Sequence, residues 1–342
     1  MKNQNQYIIQ EVMPGFSLVT PKALERMTDG HIHQTFCITE TDGSKYILQR
    51  LNTAVFKFPR ELVRNFGAIT MCLENDHSYH FAVPRIVSTS TGSDLLEYNE
   101  EYWRCFSFIE SEGSLTETDD LQLVYEVSKA YGHLAKSLLA LDPTLIFDTI
   151  PNFHDPRTRT RQLHLALNSG NKERIKSAKG TITQLLEYED LAKQMQGIDL
   201  PQRVVHNDAK ISNVLLTGGF KKVTAIIDFD TAMNGTVLFD FGDLVRSLAC
   251  SAGEEAREAH FVRERYERIL AGYIDGLGDS LGQKESENMS LGASYIIYEQ
   301  ALRFLADYLL NDRYYTIHHQ HQNLHRAENQ LQLLGSMLES LS

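Results

Sequence analysis

Long apolar runs, paired cysteines and an excess of positive charge are all missing from this sequence. No stretch approaches the roughly 20 consecutive apolar residues of a transmembrane helix, so we expect no membrane span. The four cysteines lie far apart and form no C-x-x-C pair, which favours a reducing compartment and packing as small apolar side chains. The net charge of −12 argues against the basic surface that non-specific nucleic-acid binding requires.

Two further absences narrow the class of protein. Residues 1–16 lack the charged and then apolar run of a secretory signal peptide, so we expect a cytoplasmic protein. No internal repeat or low-complexity tract occurs, which excludes a solenoid. What is present is an ordinary globular composition, 42% hydrophobic and 23% charged, over 342 residues, enough for two packed lobes. The composition leaves the oligomeric state open.

The first part of the chain has mostly strand patterns. The turn Thr41–Ser44 joins two apolar-rich segments and predicts a β-hairpin with Asp42-Gly43 at its tip, while turn residues occupy 93–99. The predicted elements are strands at 33–38 and 45–51, a helix at 58–73, and strands at 82–88 and 102–109.

From residue 114 onward the pattern is mainly helical. Predicted helices cover 119–141, 172–196, 241–249, 254–277, 290–311 and 325–341, and short strands return at 203–206, 213–217 and 223–228. A β-rich front and a larger helical back indicate an α+β bilobal fold, with a lobe of residues 1–110 and a lobe of residues 111–342. We expect a ligand to bind in the cleft between the lobes.

A polar loop between two apolar strands carries the first candidate catalytic residues. Asn213 follows Asp208 by five residues, the offset of Asp and Asn in the protein-kinase loop H-R-D-x-x-x-x-N. Asp208 is predicted to aim an acceptor hydroxyl and accept its proton, and the Asn213 amide oxygen to bind Mg²⁺, which prefers oxygen ligands. Lys210 lies where many kinases place a lysine that contacts phosphate.

An apolar strand that ends in Asp228 and Asp230 follows this loop. A carboxylate at the end of a buried strand is costly unless a cation compensates it, so Asp228 is predicted as the second Mg²⁺ ligand. The plainer interpretations are a turn for the H-x-D pattern and a cap for a strand-ending Asp. Their occurrence in order, with strands around them and consistent spacing, favours phosphoryl transfer.

Asp240-Phe241-Gly242 spells the metal-binding motif of protein kinases, but at an unsuitable position. It lies 27 residues after Asn213 and opens a helix, whereas Asp228 lies only 15 residues after Asn213. We therefore interpret Asp240 and Asp243 as loop anchors or as caps at the helix N-terminus.

With these residues the sequence resembles the aminoglycoside phosphotransferase/choline kinase superfamily, whose hallmark is H-x-D-x-x-x-x-N followed by an I-D-x-D strand. A narrower resemblance, to bacterial N-acetylhexosamine 1-kinases, runs from about residue 28 to the C-terminal helix. The segments that carry it are 29–32, 46–49, 153–155, 239–243 with Arg246, 303–309 and 321–326.

The resemblance implies a protein-kinase-like bilobal fold, ATP as co-substrate, Mg²⁺, and transfer of the γ-phosphoryl group to the C1 hydroxyl of a sugar such as N-acetylglucosamine or N-acetylgalactosamine. It assigns Asp208 as the base that contacts the sugar, and Asn213 and Asp228 as metal ligands. Arg303 matches a sugar-binding position, since an arginine fork can donate to ring hydroxyls. An ion pair with Asp307, one turn further on, is the alternative.

The nucleotide side departs from the protein-kinase pattern in two places. The loop expected to cover the phosphates has a single glycine, Gly30, instead of G-x-G-x-x-G. Gln49 stands where the strand would carry a phosphate-binding lysine, as it does in the sugar kinases. Neutralisation of phosphate charge would then fall to Mg²⁺, Lys210 or Arg50.

The hinge between the lobes is expected at residues 106–110. Backbone groups of Phe108, Ile109 and Glu110 would hold adenine there. The plainer interpretation is an ordinary edge strand, and both interpretations can be true.

Several alternatives remain open at the level of sequence. The same chemistry on an aminoglycoside, choline or homoserine would need unpaired carboxylates facing Asp208, and a nucleotide-binding pseudokinase is favoured by Gln49. The segment 153–156 is expected to shape the acceptor pocket or to cap the next helix. The histidine tract at 318–325 is expected to lie at the surface or in packing contacts, a zinc site being the alternative.

Overall fold

The structure is a computed structural model that describes residues 2–18, 21–27 and 32–342. Five antiparallel strands form the sheet of the N-terminal lobe in the order β1-β2-β3-β5-β4. The strands are β1 Pro21–Met27, β2 Gln34–Glu40, β3 Lys45–Arg50, β4 Leu96–Tyr98 and β5 Glu101–Ser107. A short helix, α1 (Lys2–Tyr7), and two helical turns up to Phe16 precede the sheet, and Val12 and Phe16 pack with Phe36 and Trp103 beneath it.

The predicted hairpin is confirmed. β2 pairs with β3 in a register that sets Thr39 opposite Lys45. The turn closes with the Glu40 N–H donating to the Ser44 carbonyl at 2.8 Å and the Gly43 N–H donating to the Glu40 carbonyl at 3.0 Å. Gly43 has a φ of 91°, a left-handed conformation that suits glycine. The hairpin therefore forms where the Asp-Gly pair predicted it.

The predicted strand at 82–88 is wrong. Only a single bridge, from Ile86 to Phe106, joins this segment to the sheet. Pro84 lies in its middle and has no N–H to donate, which explains why a continuous ladder does not form. The strand next to β5 is β4, where turn residues were expected, and its tight turn places Asn99 and Glu100 at positive φ.

Helix α2 (Pro59–Asn75) packs against both lobes. Its predicted apolar face is confirmed, since Phe66, Ile69 and Leu73 are buried in the core that also fills the C-terminal lobe. The Phe66 ring stacks on Phe106 of the sheet at 4.5 Å and lies 5.9 Å from Phe229 of the other lobe. The lobe boundary at residue 110 stays a prediction. Residue 110 lies between the end of β5 and the first helix of the C-terminal lobe.

The C-terminal lobe is mainly helical. Its helices are α3 Leu121–Ser137, α4 Pro156–Ser169, α5 Lys172–Ser177, α6 Lys179–Glu187, α7 Asp190–Gly197, α8 Val237–Leu248, α9 Arg263–Leu277, α10 Gln283–Glu287, α11 Met289–Leu309 and α12 Gln322–Leu341. Two short sheets, β6 (Arg203–Val205) with β9 (Met233–Gly235) and β7 (Val214–Thr217) with β8 (Lys222–Ile226), position the loops between them.

Two helix predictions need correction. The segment 172–196 forms three short helices, because the backbone leaves the helical region at Ala178 and Tyr188. Helix α9 begins at Arg263 instead of 254, since the preceding loop is closed by a bridge from Cys250 to Phe261.

The segment 153–156 caps the next helix as expected, with the Asp155 carboxylate accepting from the Arg157 N–H at 2.9 Å.

All four cysteines are free, and Cys105 and Cys250 are buried while Cys37 and Cys72 are half-buried. Across the described part of the chain, no helix is both long enough and apolar enough to cross a bilayer.

Candidate active site

The loop from His206 to Asn213 is anchored from beneath by Asp240. This carboxylate is fully buried in the first turn of α8 and accepts the backbone N–H groups of His206 at 2.9 Å and Asn207 at 2.7 Å. Burial raises the pKa of Asp240 to about 6, although His206 and these two hydrogen bonds act in the opposite direction. Asp240 is thus a loop anchor; it does not cap its helix, because Thr236 is the N-cap.

The Asp208 carboxylate contacts two other side chains of this loop. Asp208 Oδ2 accepts from Lys210 Nζ at 2.8 Å and from Asn213 Nδ2 at 3.1 Å. Burial opposes ionisation of Asp208, but the charge and hydrogen bond of Lys210, followed by His206 and Arg246, outweigh it and lower the pKa of Asp208. The loop therefore presents an ionised carboxylate in a fixed orientation.

Lys210 is held on both its backbone and its side chain. The Tyr131 hydroxyl donates to the Lys210 carbonyl at 3.0 Å and accepts its N–H at 3.2 Å. Burial disfavours the charged ammonium, but Asp208, and then Asp228, outweigh this effect and raise the pKa of Lys210. The loop thus carries a cation directly beside the candidate base.

The β7–β8 hairpin brings Asp228 to Asn213. Asn213 precedes β7, Asp228 follows β8, and the Ile227 N–H donates to the Asn213 carbonyl at 2.9 Å. Asp228 has a left-handed φ of 67°. Asp228 is an exposed residue, yet reduced hydration among the surrounding protein groups, and then the charges of Asp230 and Asp208, raise its pKa to about 6. The corner where Asp208, Asn213 and Asp228 meet therefore carries negative charge that neighbouring cationic side chains do not fully compensate.

This corner fits a hard divalent cation. The Asn213 amide nitrogen donates to the Asp208 backbone oxygen at 3.0 Å and to its carboxylate, which orients the amide oxygen away from Asp208. Together with the Asp228 carboxylate it offers oxygen ligands of the kind Mg²⁺ accepts alongside substrate phosphates. Within the described residues no cluster of three or more His, Cys, Asp or Glu forms a protein-only metal cage.

Three histidines of the tract at 318–325 contact other side chains. His321 Nδ1 lies 2.6 Å from the Tyr308 hydroxyl, and the rings of His319 and His325 lie 5.8 Å apart.

Gln49, predicted to lie near the nucleotide, belongs to a hydrogen-bond network that the sequence did not predict. Its amide nitrogen donates to Thr35 Oγ1 at 3.1 Å, and its amide oxygen accepts from Arg104 at 2.8 and 3.0 Å. Arg104 also forms two 2.6 Å bonds with the Asp230 carboxylate, which His33 Nε2 approaches at 2.6 Å. One feature of the sequence could have pointed to this network. Arg104 is a charged residue between Trp103 and Cys105 inside a predicted strand, and a buried charge needs a partner.

The hinge residues lie at the junction of the lobes. The Phe108 N–H donates to the Lys45 carbonyl at 3.2 Å, and Glu110 pairs with the Lys45 ammonium at 3.0 Å. The chain then reaches the other lobe where the Glu112 N–H donates to the Leu216 carbonyl at 2.8 Å. Phe108, Ile109 and Glu110 thus span the interval between the lobes, whereas Gly30 lies outside the described residues.

Arg303, the predicted sugar-binding residue, lies among aromatic rings. Its guanidinium carbon is 4.7 Å from the ring centre of Phe153 and 5.9 Å from those of Tyr314 and Tyr315. Its carboxylate neighbour is Glu299, at 4.0 Å. The alternative of an ion pair with Asp307 is wrong.

Asp307 instead accepts the backbone N–H groups of Arg313, Tyr314 and Tyr315 at 2.8, 2.9 and 3.0 Å. The turn that carries the two tyrosines after α11 occupies the carboxylate, which explains why Arg303 finds a different partner. Asp307 thereby holds the aromatic residues beside Arg303.

Arginines pair the acidic side chains near the base. Asp243 accepts from Arg246 Nε at 3.1 Å, and Arg246 also binds Glu254. Arg246 is close enough to Asp208 to lower the pKa of Asp208, and Asp243 is electrostatically coupled to both Asp208 and Arg303. This side of the loop is therefore rich in paired charges.

Glu299 is the buried centre of a second ionic cluster. It lies 2.5 Å from His154 Nδ1 and 2.8 Å from Arg159 Nε, and the other ring nitrogen of His154 lies 3.2 Å from the Asn207 carbonyl. Both ring nitrogens of His154 therefore face oxygen atoms, which fixes the orientation of the ring. Burial opposes ionisation of Glu299, but His154, then Arg159 and Arg303, lower its pKa to about 2.

Residues 23–277 match the profile of the family described as the phosphotransferase enzyme family, APH. The chain belongs to this family. The match covers the N-terminal sheet, the catalytic loop and most of the helical lobe, and it extends from β1 to the end of α9.

Solved structures show the same fold for this phosphotransferase. Spectinomycin phosphotransferase in complex with ADP and spectinomycin has a TM-score of 0.64 at 12% identity, with 98% of each chain covered. Choline kinase from Cryptosporidium parvum Iowa II has a TM-score of 0.63 at 14% identity, covering 99% of this chain and 97% of that chain. An amicoumacin kinase in complex with AMP-PNP, Ca²⁺ and Ami has a TM-score of 0.59 at 15% identity, covering 97% and 96%.

The expected bilobal, kinase-like fold is thus confirmed, and this protein is a small-molecule phosphotransferase by family. The structure brings Asp208, Lys210, Asn213 and Asp228 together and places Arg303 among Phe153, Tyr314 and Tyr315. Their functional roles stay predictions.

Proposed function

We propose that this phosphotransferase uses ATP and Mg²⁺ to phosphorylate the C1 hydroxyl of an N-acetylhexosamine or a related hexose. The observation that carries phosphoryl transfer is the convergence of Asp208, Asn213 and Asp228 at one corner of the catalytic loop. The sugar and the carbon atom rest on the resemblance to N-acetylhexosamine 1-kinases.

Asn213 and Asp228 would hold the metal ion, which would neutralise developing charge on the phosphates. Asp208 would orient the acceptor hydroxyl and receive its proton. A carboxylate with a lowered pKa is a weak base, which suits a loose transition state in which bonding to the nucleophile is limited. Positioning and electrostatics then supply most of the rate enhancement.

Lys210 has two possible partners during this cycle. In the present arrangement its ammonium lies 2.8 Å from Asp208. When an acceptor hydroxyl takes that position on the carboxylate, the ammonium becomes available to a phosphate oxygen. Lys210 thus supplies part of the positive charge that Gln49 does not.

The charges on the acceptor side favour a neutral acceptor over a cationic one. Asp243, Glu254 and Glu299 each pair with an arginine, so a cationic amine would have to displace an existing ion pair. Arg303 has only a long 3.4 Å contact with Gln300 and a distant contact with Glu299 among its polar interactions within the described residues. Its N–H groups, beside aromatic rings, suit hydroxyl or amide oxygens of a sugar.

A nucleotide-binding pseudokinase is the second candidate, and Gln49 is the observation that favours it. Its side chain supplies no positive charge. The intact Asp208, Asn213 and Asp228 argue against this candidate.

An ATP-consumption screen tests the proposal against its alternatives. The acceptors are hexoses, N-acetylhexosamines, choline and aminoglycosides, each with wild-type protein and with Asp208→Asn as the matched inactive control. We expect turnover with a hexose or N-acetylhexosamine, reduced about 10²–10⁴-fold in the variant. Turnover with amines alone would overturn the neutral acceptor, and nucleotide binding without turnover would favour the pseudokinase.

A further inference from the structure

We propose that Arg104, on β5, is a positioning residue that fixes the metal-binding segment across the interlobe cleft. It takes the place of the strand β3 lysine that this chain lacks. The inference rests on the proposed function, because it assigns Arg104 to the nucleotide and metal side of that site.

The register of the N-terminal sheet sets Gln49 directly opposite Arg104. Arg104 is only 2% exposed, and its side chain lies over Phe106, with the guanidinium carbon 4.9 Å from the ring centre. The Gln49 amide oxygen accepts from Nε and Nη2 of Arg104 at 3.0 and 2.8 Å. Gln49 thus orients the plane of the guanidinium.

This orientation aims the guanidinium at the C-terminal lobe. Nη1 donates to Asp230 Oδ1 and Nη2 to Asp230 Oδ2, both at 2.6 Å. Both side chains are 2% exposed, and a bidentate pair in such a place fixes direction as well as distance.

Asp230 follows Asp228 by two residues, within a single helical turn. Phe229, Asp230 and Thr231 are buried, and the Asp230 carbonyl accepts from Thr149 Oγ1 at 2.8 Å. Asp228 has a left-handed φ of 67°, a conformation that a non-glycine residue keeps when its surroundings impose it. Anchoring Asp230 therefore determines where the Asp228 carboxylate points.

His33 adds a second contact from the N-terminal lobe to the same carboxylate. The Asn52 N–H donates to His33 Nδ1 at 3.0 Å, so the proton of the neutral ring lies on Nε2, which donates to Asp230 Oδ2 at 2.6 Å. Arg104 and His33 together make Asp230 the point where the N-terminal lobe engages the segment after β8.

This network gives Gln49 a role of its own. A lysine at position 49 would place an ammonium against the guanidinium of Arg104, whereas glutamine supplies the acceptor that Arg104 needs. A lysine at position 104 could not contact Gln49 and both Asp230 oxygens with the same geometry. Gln49 and Arg104 therefore act as a pair.

Arg104→Lys tests the proposal, because it keeps the charge and removes the fork. We expect Mg·ADP binding, measured by calorimetry, to weaken about tenfold, and the Mg²⁺ concentration for half-maximal activity to rise, with the KM for the acceptor within about twofold. Arg60→Gln, which removes an exposed arginine paired with Glu97, is the matched control and should bind Mg·ADP like the wild type. Thermal unfolding without nucleotide reports on folding separately.

A second variant covers the case in which Arg104→Lys does not fold. Gln49→Met leaves the guanidinium but removes its two bonds to position 49, and we expect about a threefold weakening of Mg·ADP binding. Wild-type affinity in both folded variants, or in Gln49→Met alone if the other is unfolded, would overturn the inference.

Failure of the proposed function gives a different result. If the wild type phosphorylates no acceptor but binds Mg·ADP, and Arg104→Lys binds it tenfold more weakly, the positioning role stands while the sugar kinase assignment fails. If the wild type does not bind Mg·ADP at all, both fail.

Discussion

Asp240 accepts the backbone N–H of Asn207 at 2.7 Å, one residue before the candidate base Asp208. The only exact Asp-Phe-Gly of the sequence thus holds the catalytic loop from within the core. The aspartate suited to a metal ion is Asp228. It is exposed and follows the β7–β8 hairpin. The pKa values of Asp228 and Asp240 are both raised to about 6, although the two residues have different roles.

Replacing Asp228 by Asn is expected to abolish Mg²⁺-dependent nucleotide binding without destabilising the protein. Crowding by Asp230 and Asp208 raises the pKa of Asp228, after the effect of reduced hydration, so its ionised form opposes folding at neutral pH. The midpoint of thermal unfolding without metal should stay at the wild-type value or rise. Calorimetry with Mg·ADP and a thermal melt check the two parts, and a clearly lower midpoint would contradict this account.

Replacing Asp240 by Ala is expected to have the opposite profile. Two buried backbone N–H groups would lose their acceptor, at a cost of about 1–3 kcal/mol each in the free energy of unfolding. Denaturant unfolding measures this loss. If Asp240→Ala were stable but unable to bind Mg·ADP, the metal would have been assigned to the wrong aspartate.

Arg303→Lys is expected to raise the KM for the acceptor about tenfold, since it removes the planar donor set beside Phe153 and Tyr315. The KM for ATP should change little, because the role proposed for Arg303 is in binding the acceptor and not the nucleotide. Steady-state kinetics with each substrate varied in turn separates the two constants. Arg174→Lys serves as the control, as Arg174 stacks on Tyr308 and binds Asp312 instead. An equal effect on both KM values would contradict the assignment.

Glu299 is expected to stabilise the fold in a pH-dependent manner. Its folded pKa, about 2, lies below its ordinary value of 4.5, so its contribution is complete above pH 4.5 and is lost as the pH falls towards 2. Ionisation of this buried group should contribute of the order of 3 kcal/mol at neutral pH. The difference in unfolding free energy between wild type and Glu299→Gln should therefore shrink between pH 4.5 and 2. A constant difference would mean that the charge of Glu299 is not what matters.

Asp208, Asn213 and Asp228 could be predicted from the sequence because they lie within one loop and one hairpin. Their spacing along the chain determines their proximity once β7 and β8 pair. Arg104 and Asp230 could not be paired in this way, since 126 residues separate them and they meet only where the lobes close together.

Local patterns also failed where a distant group competed. Asp307 has the spacing of an ion pair with Arg303, but the backbone N–H groups of the 313–315 turn occupy its carboxylate. The failure at 82–88 has a local cause instead, because Pro84 lies inside the segment and has no N–H to donate. The fold class was predictable from the overall order of strands and helices, because that order depends on periodicity more than on any single contact.

The position of the transferred phosphate is the most direct test of the central claim. The protein, incubated with ATP, Mg²⁺ and an N-acetylhexosamine, should give a product whose phosphorus NMR signal is coupled to the anomeric proton, and Asp208→Asn should give almost none. Coupling to the C6 protons, or turnover restricted to choline or aminoglycosides, would contradict the assignment of a sugar 1-kinase.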